Sequence, residues 1–395
     1  MISIAGTQMQ VWALFWHIRT LTDQPIALGG VGLARILPVI VFSLWGGALA
    51  DVANRRQVLF ITQSAMALTA AALAVLTWIG HIQLWQIYIL TALSAVAVSF
   101  DGPARQALVP NLVPTHDLPN AFSMMSIAFQ TGAIVGPALS GLVIAYWGQP
   151  YTYLINAISF LAVILALIGM GPVHQQVHPG RDAQVSLTAI GEGVRFIWRH
   201  PIILSTMILD FFATFFSSAN TLMPIVARDV LRVGAVEYGW LSAAQSVGAV
   251  AAAMVLSQVN TIRRQGLLFL GSVVLFGVAT VVFGMVRYFD AAMLALIVVG
   301  AADSVSTIIR NTIRQLQTPD YIRGRMTSVN QIFFMGGPQL GEVEAGAAAQ
   351  LFGAPFAIIS GGVGCLLAVA WIAHRWPQLR AYNGDEPVRA GVPAD

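Results

Sequence analysis

The sequence lacks lysine, has one cysteine in 395 residues, and carries charged side chains at only 9% of its positions, while 57% are hydrophobic. A soluble globule of this size needs far more surface charge, so most of this surface is expected to face lipid. The lone Cys365 excludes an internal disulfide and a CxxC metal or redox pair. We expect no metal and no cofactor.

Common enzyme motifs are missing as well. The sequence has no H-E-x-x-H, no G-x-S-x-G, no P-loop and no G-x-G-x-x-G that opens a helix after a strand. We therefore expect a protein that is not an enzyme and that cannot use ATP by itself.

Long apolar runs dominate the chain instead. About 20 apolar residues cross the ~30 Å hydrocarbon core as a helix, and twelve such stretches are present. They lie at residues 2–20, 26–50, 58–80, 83–104, 119–146, 150–171, 202–224, 236–258, 267–286, 291–313, 326–351 and 355–374. The first lacks the basic lead-in of a cleaved signal peptide, so we expect a shortened first transmembrane helix.

The arginines indicate the orientation of these spans. Of the 20, Arg35 lies inside the second span, Arg19, Arg228, Arg232 and Arg287 lie on one side, and the remaining fifteen lie on the other. The positive-inside rule then predicts a multi-pass protein of the inner cell membrane with both termini in the cytoplasm. Arginines spread over short loops do not suggest binding of nucleic acid.

Short repeats divide the chain into two halves. Arg55-Arg56-Gln57 recurs as Arg263-Arg264-Gln265, Arg105-Gln106 as Arg314-Gln315, and Gly29 with Ala34 as Gly239 with Ala244. An offset of 208 to 210 residues predicts an all-α membrane protein with two parallel six-helix repeats, the architecture of a secondary transporter. The expected domains are a six-helix bundle at 1–171, a cytoplasmic linker at 172–200, a second bundle at 201–376 and a disordered tail at 377–395.

The linker carries an amphipathic pattern. Leu187, Ile190, Val194, Ile197 and Trp198 fall on one arc of a helix. We expect an amphipathic helix on the cytoplasmic membrane surface.

Four segments resemble the major facilitator superfamily. Residues 47–56, GALADVANRR, are similar to its loop signature G-x-x-x-D-R-x-G-R-R, although Val52 and Asn54 depart from it, and residues 132–141, GAIVGPALSG, resemble its exporter signature. Residues 100–110 and 317–325 resemble the branch that includes the enterobactin exporter. The resemblance implies the major facilitator fold and efflux of a drug or siderophore.

The resemblance also implies segments that change conformation during transport. Asp51 would dock at the start of span 11 and latch the cytoplasmic side, whereas helix capping is the alternative role for the arginines. The candidate conformational-switch loops contain Gly47, Asp51, Arg55, Arg56, Arg105, Arg263, Arg264, Arg314, Asp320, Arg323 and Arg325. A candidate helix-bending motif contains Gly132, Gly136, Pro137 and Gly141 in span 5 and Pro338 in span 11, with plain helix packing as the alternative.

Five charged side chains inside spans are candidates for ion coupling or gating. An ionised carboxylate midway along a span is costly unless paired or hydrated, so Asp303 is expected to face a cavity or to titrate, with Asp210 as the next candidate. Arg35 and Glu342 lie at matched depths and predict an outer gate. Glu344 competes for the same arginine, and bonding of Arg35 within its own half is the alternative.

These patterns predict a monomeric, proton-coupled antiporter that exports a small amphipathic organic compound by alternating access. Its partners are expected to be that compound, protons and the lipid bilayer. Metabolite import by the same fold and a non-transporting membrane receptor or scaffold are the alternatives.

Overall fold

The structure is a computed structural model that describes residues 2–171, 187–217, 219–259 and 262–384. These residues form helices and connecting turns, and they contain no β-strand. The helices are α1 (Ile2–Leu21), α2 (Pro25–Val52), α3 (Arg55–Trp78), α4 (Leu84–Leu108), α5 (Leu118–Tyr146), α6 (Gln149–Gly169), α7 (Leu187–Arg199), α8 (Pro201–Phe216), α9 (Met223–Ile225), α10 (Ala235–Ser257), α11 (Gln265–Met285), α12 (Phe289–Leu316), α13 (Asp320–Phe352), α14 (Ala354–Arg375) and α15 (Pro377–Ala381).

Ten helical segments of the described chain are long and apolar enough to cross a membrane. They are Pro25–Ser43, Arg55–Trp78, Leu84–Asn111, Ser123–Tyr146, Gln149–Gly169, Pro201–Val230, Ala235–Ser257, Gln265–Met285, Phe289–Leu316 and Ala354–Arg375. The expected first and eleventh spans coincide with α1 and α13, which are also helices. The prediction of an all-helical membrane protein is confirmed.

The chain forms two compact units, of which the first comprises Met1–Val185 and Met223–Ala243. In it, α1 packs on α5 and α6, α2 on α4, and α3 on α4 and α6. Glycines permit the closest approaches: a Cβ atom on Gly136 of α5 would lie 2.6 Å from the Cβ atom of Gln8 in α1. Helices without side chains at their contact can approach closely in lipid.

The second unit comprises Ser186–Leu222 and Ala244–Asp395. Here α8 packs on α13 and α14, and α11 packs on α12 and α14. Its core surrounds Phe269, Val273 and Cys365, all nearly inaccessible to solvent. Cys365 therefore packs as a small hydrophobic residue.

The linker helix forms as α7, and its position on the cytoplasmic membrane surface stays a prediction. Phe196 and Ile197 are buried in a cluster with Ile203 and Met326. Trp198, assigned to the apolar face from its spacing, is 71% exposed. The helix contacts α13 and α8, and this contact selects which side chains are buried. Residues 172–186 lie outside the described part of the chain.

Part of the predicted disordered tail is folded. Helix α15 buries Leu379, and the next residue after the helix, Tyr382, is also buried. The Tyr382 carbonyl accepts a hydrogen bond from the Gly266 amide at 3.0 Å. Prediction of disorder from residue 377 was wrong up to residue 384, because two large side chains in a polar segment pack against α11. Residues 385–395 lie outside the described part.

Three helices are longer than their apolar runs predicted. Helix α4 continues through Arg105, α12 continues through Arg314, and α13 already begins at Asp320. The assignment of Arg105, Arg314, Asp320, Arg323 and Arg325 to loops is therefore corrected. The same correction applies to Gly47 and Asp51, which lie in α2, and to Arg55 and Arg56, which lie in α3. An apolar run ends where the lipid core ends, whereas the hydrogen-bonded turns of the helix continue into the polar boundary of the membrane.

Candidate functional site

A polar pocket of about 270 Å³ lies within the second unit. It is lined by Thr214, Ser217, Asn220, Gln245, Ser246, Ala249, Phe276, Val299, Gly300, Asp303 and Pro338. Six of these side chains carry oxygen, and Asp303 is the only ionisable one among them. A polar pocket with one carboxylate inside an apolar bundle indicates a place where an ion or a polar group is held.

An interruption of the helix that starts at Pro201 contributes one wall of the pocket. Helix α8 ends at Phe216, and the chain continues in a 3₁₀ turn at Ala219–Leu222 before α9. Ser217 and Asn220 lie at this interruption. The Asn220 Oδ1 atom is buried and accepts no hydrogen bond from the described residues. Broken spans expose polar groups where they line a cavity, so the interruption suits a binding site.

Asp303 lies in the middle of α12, and its side chain is exposed at the pocket wall. Among the described residues, no arginine or histidine lies within ion-pair distance of it. The nearest charged group along α12, Arg310, is already paired with Asp210. The Asp303 carboxylate thus faces the pocket without an ion-pair partner among the described residues, and its role in ion coupling stays a prediction.

Asp210, the second coupling candidate, lies in a buried charge cluster instead. Its carboxylate pairs with Arg310 and lies 3.6 Å from Arg314 Nη2. All three side chains are at most 4% exposed. Arg314 Nε also donates to Thr206 Oγ1 at 3.2 Å. This geometry favours a structural role, in which Asp210 of α8 neutralises buried arginines of α12.

A second charge network, around the buried Asp101 of the first unit, was not anticipated. Asp101 of α4 pairs with Arg105 at 2.9 Å and accepts hydrogen bonds from Thr62 at 3.1 Å and from Gln63 at 2.6 Å. The sequence contains the signal, since an acid and an arginine four residues apart on a helix can pair. The two polar partners on α3 could not be identified from spacing alone.

The arginines after span 2 bind helix ends. Arg55 donates to the Ala107 carbonyl at 2.9 Å and to Asn111 at 2.7 Å, and Arg56 donates to the Leu167 carbonyl at 2.7 Å. This is the capping alternative, in which a cation binds the carbonyl end of a helix. Gly47 and Asp51 lie in the last turns of α2, and the Asp51 side chain is outside the described part.

The equivalent arginines of the second half, Arg263 and Arg264, are exposed between α10 and α11. Arg264 has φ of 55° at the start of α11. Asp320, Arg323 and Arg325 occupy the first turns of α13, and their side chains lie outside the described part.

The proposed gate residues lie in different units. Arg35 of α2 places its guanidinium carbon 5.5 Å from the ring centre of Phe15 in α1, a cation–π contact within the first unit. Glu342 and Glu344 are half-buried on α13. The pairing of Arg35 with either glutamate stays a prediction.

The glycines of the helix-bending motif mark close helix contacts. A Cβ atom on Gly132 would lie 2.7 Å from Ile4, and one on Gly141 would lie 2.7 Å from the Cα atom of Gly239. Pro137 lies inside α5 and Pro338 inside α13. These contacts explain the small residues by packing, and bending stays a prediction.

An ion pair links the end of α1 to the π-helical turn at Val226–Val230 within the first unit. Arg19 Nη2 lies 2.8 Å from Asp229 Oδ2, and Arg19 also bonds Asp23. The Arg19 hydrogen bond and charge lower the pKa of Asp23, so this carboxylate is ionised at neutral pH and loses the interaction only as pH falls through the lowered pKa. Neither acid was recognised from the sequence.

Apolar spans that enclose a carboxylate-bearing pocket and buried ion pairs define a membrane transport protein. The chain belongs to the transmembrane secretion effector family of the major facilitator superfamily, whose model matches residues 1–390. The family and its named relatives are transporters, which confirms that the chain is not an enzyme.

Three relatives illustrate this membership. The chain is 28% identical to the multidrug efflux pump Tap of Mycolicibacterium fortuitum, covering 88% of this chain and 87% of Tap. It is 28% identical to the staphyloferrin A transporter of Staphylococcus aureus, covering 93% and 92%. It is 24% identical to the enterobactin exporter EntS of Citrobacter koseri, covering 88% and 83%. The predicted resemblance to the enterobactin-exporter branch is thereby confirmed.

The fold is also found among solved structures. A bacterial homologue of the lysosomal transporter Spinster in an inward-facing, unoccupied conformation superposes with a TM-score of 0.74 over 96% of each chain, at 13% identity. At this identity the similarity concerns the fold alone.

Proposed function

We propose that this protein exports a small amphipathic compound of the drug or siderophore type across the inner membrane, in exchange for protons. The observation that carries the coupling mechanism is the Asp303 carboxylate, exposed in a polar pocket within apolar helices. Such a group can bind a proton on one side of the membrane and release it on the other. The cargo class comes from the relatives, whose names state multidrug efflux, staphyloferrin A transport and enterobactin export.

The proposed architecture has twelve spans in two six-helix repeats at 1–171 and 201–376, joined by the 172–200 linker, with both termini cytoplasmic. Recurring helix partners support it. In the first unit α1 packs on α5 and α6, and α3 packs on α4 and α6; in the second α8 packs on α13 and α14, and α11 packs on α12 and α14. Repeats of this kind carry out alternating access. We propose that the protein works as a monomer.

Aromatic side chains suit an amphipathic cargo. Phe211, Phe212, Phe215, Phe216 and Phe333 form a cluster in the second unit, with ring centres 5.1 to 6.2 Å apart. Flat aromatic surfaces bind apolar rings through stacking and edge contacts. We infer that compounds with aromatic groups are better substrates than polar sugars.

The Arg35 gate and the Asp51 latch belong to the same proposal. Alternating access requires contacts that break when one side opens. Import of a metabolite by the same fold is the second candidate, and direction of transport separates the two. A non-transporting receptor would have no use for an unpaired carboxylate in a polar pocket.

Accumulation of a fluorescent aromatic dye and of a catecholate siderophore in cells tests the proposal. Cells with the gene should retain less of either compound than cells without it, and a protonophore should remove the difference. Asp303→Asn should reach the membrane at normal level and lose gradient-driven export. The matched control is Asp290→Asn, which changes an exposed acid in the first turn of the same helix and should keep export.

Two outcomes would contradict the proposal. Higher accumulation in cells with the gene would indicate import. Unchanged export by Asp303→Asn would remove this carboxylate from the coupling mechanism.

A further inference from the structure

The pocket around Asp303 has more oxygen ligands than proton exchange requires. Thr214 and Ser217 come from the end of α8, Asn220 from the interruption, Gln245 and Ser246 from α10, and Asp303 from α12. Proton binding needs only the carboxylate. Converging hydroxyl and amide oxygens are the ligands of hard metal cations.

From this arrangement we propose that the pocket is a Na⁺ site, with Asp303 as its charged ligand and Asn220 as a neutral one. The inference deepens the proposed transport function, because Na⁺ and a proton are alternative occupants of one carboxylate. The buried Asn220 Oδ1 atom, which accepts no hydrogen bond from the described residues, is a candidate ligand at the same wall. A buried carbonyl oxygen without a partner is costly, and a cation would satisfy it.

Charge favours a monovalent ion. Asp303 is the only ionisable side chain at the pocket, so Na⁺ would be neutralised, whereas a divalent ion would keep one uncompensated positive charge inside an apolar bundle. The described residues also contain no group of three or more His, Cys, Asp or Glu side chains that could hold a metal ion, so neutral oxygens would have to supply most of the ligands. Arg310 forms its ion pair with Asp210, and among the described residues it forms none with Asp303.

The size of the pocket allows partial hydration. A volume of about 270 Å³ exceeds that of a bare ion. At ~30 Å³ per water, several waters fit beside Na⁺ and complete its coordination. The ion would therefore be exchangeable, as a coupling ion must be.

Equilibrium binding of ²²Na⁺ to the purified full-length protein tests the site, at constant ionic strength with choline as the replacing cation. We expect saturable binding of one Na⁺ per chain. Asp303→Asn should weaken the affinity at least tenfold, and Asn220→Ala should weaken it severalfold. The control Asp290→Asn should bind like the unaltered protein. Size-exclusion profiles check that each variant is folded, and Asn220→Ala tests the site if Asp303→Asn does not fold.

The proposal is overturned if the unaltered protein shows no saturable Na⁺ binding, or if folded Asp303→Asn or Asn220→Ala binds Na⁺ with unchanged affinity. This outcome is distinct from failure of the proposed function, which is measured in cells. Export without Na⁺ binding would leave the transport function intact and reject the site. Na⁺ binding without export of any compound would support the site and reject the exporter.

Discussion

Substitution of Asp210 by Asn should destabilise the second unit strongly. Asp210 neutralises Arg310 directly and approaches Arg314 at 3.6 Å. The Arg310 and Arg314 side chains are only 4% and 3% exposed, so water cannot replace the lost carboxylate. The substitution keeps the shape of the side chain and removes its charge, leaving two buried cations near each other.

The expected loss is about 3–5 kcal/mol, the usual cost of removing one partner of a buried ion pair. Replacement of Arg314 by Met should cost much less, about 1 kcal/mol, because the Asp210–Arg310 pair stays neutral and Arg314 loses one long contact and its bond to Thr206. Combining Asp210→Asn with Arg310→Met should recover part of the loss, since one buried cation is removed together with its acid.

Thermal unfolding of the purified protein in detergent would rank the stability of the three variants. Unfolding is measured as loss of the monodisperse peak in size-exclusion chromatography. Unfolding of a membrane protein is often irreversible, so the order of midpoints at one heating rate is the quantity compared. Asp303→Asn is the matched control, because it removes a carboxylate of α12, two turns from Arg310, that forms no ion pair with an arginine among the described residues. If Asp210→Asn is as stable as Asp303→Asn, the cluster has no structural role.

Three further substitutions test contacts elsewhere. Reversal of Arg19 to Asp should lower stability by up to about 1 kcal/mol, and adding Asp229→Arg should restore it; no recovery in the double variant would exclude the pair. Gly136→Val should cost about 1–3 kcal/mol or prevent folding, since its Cβ atom would meet α1, whereas Gly102→Ala meets no neighbour within 4 Å and should be tolerated. Leu379→Ala should cost about 2 kcal/mol and expose the tail to protease; unchanged digestion would refute docking of α15.

Much of the fold could be predicted because lipid imposes one simple rule. A span must satisfy its backbone internally and present apolar side chains, and both requirements are visible as runs of hydrophobic residues. Helix ends are less predictable for the same reason. Near Arg105, Arg314 and Asp320 the helical hydrogen bonds extend beyond the apolar run, so hydropathy ends α4 and α12 several residues too early and begins α13 several residues too late.

The candidate site was only partly predictable. The sequence shows which charged residues lie inside a span, where a charge is costly, but it does not show which residues pair with them. The position of Asp303 midway along a predicted span identifies it as a costly charge, and the structure places it at the pocket. The same depth argument identified Asp210, although that acid has arginine partners on α12. Those partners lie about 100 residues away in sequence, and no local pattern reveals which helices bring them together.

The neighbours of Asp210 and of Asp303 therefore suggest different roles for these two acids. An acid paired with a buried arginine is fixed in its charged form, because either partner alone would be an isolated charge in a low-dielectric interior. An acid whose neighbours are hydroxyls and amides can bind and release a proton or a cation, because those neutral groups tolerate either one, or water, beside the carboxylate. Asp210 meets the first condition and Asp303 the second. Within the second unit, the Asp210–Arg310 ion pair connects α8 and α12 beside the pocket, and we propose that this pair stays fixed while the pocket exchanges its ion. A coupling carboxylate needs this kind of rigid support, because a loosely held helix would allow the ion to escape without moving the cargo.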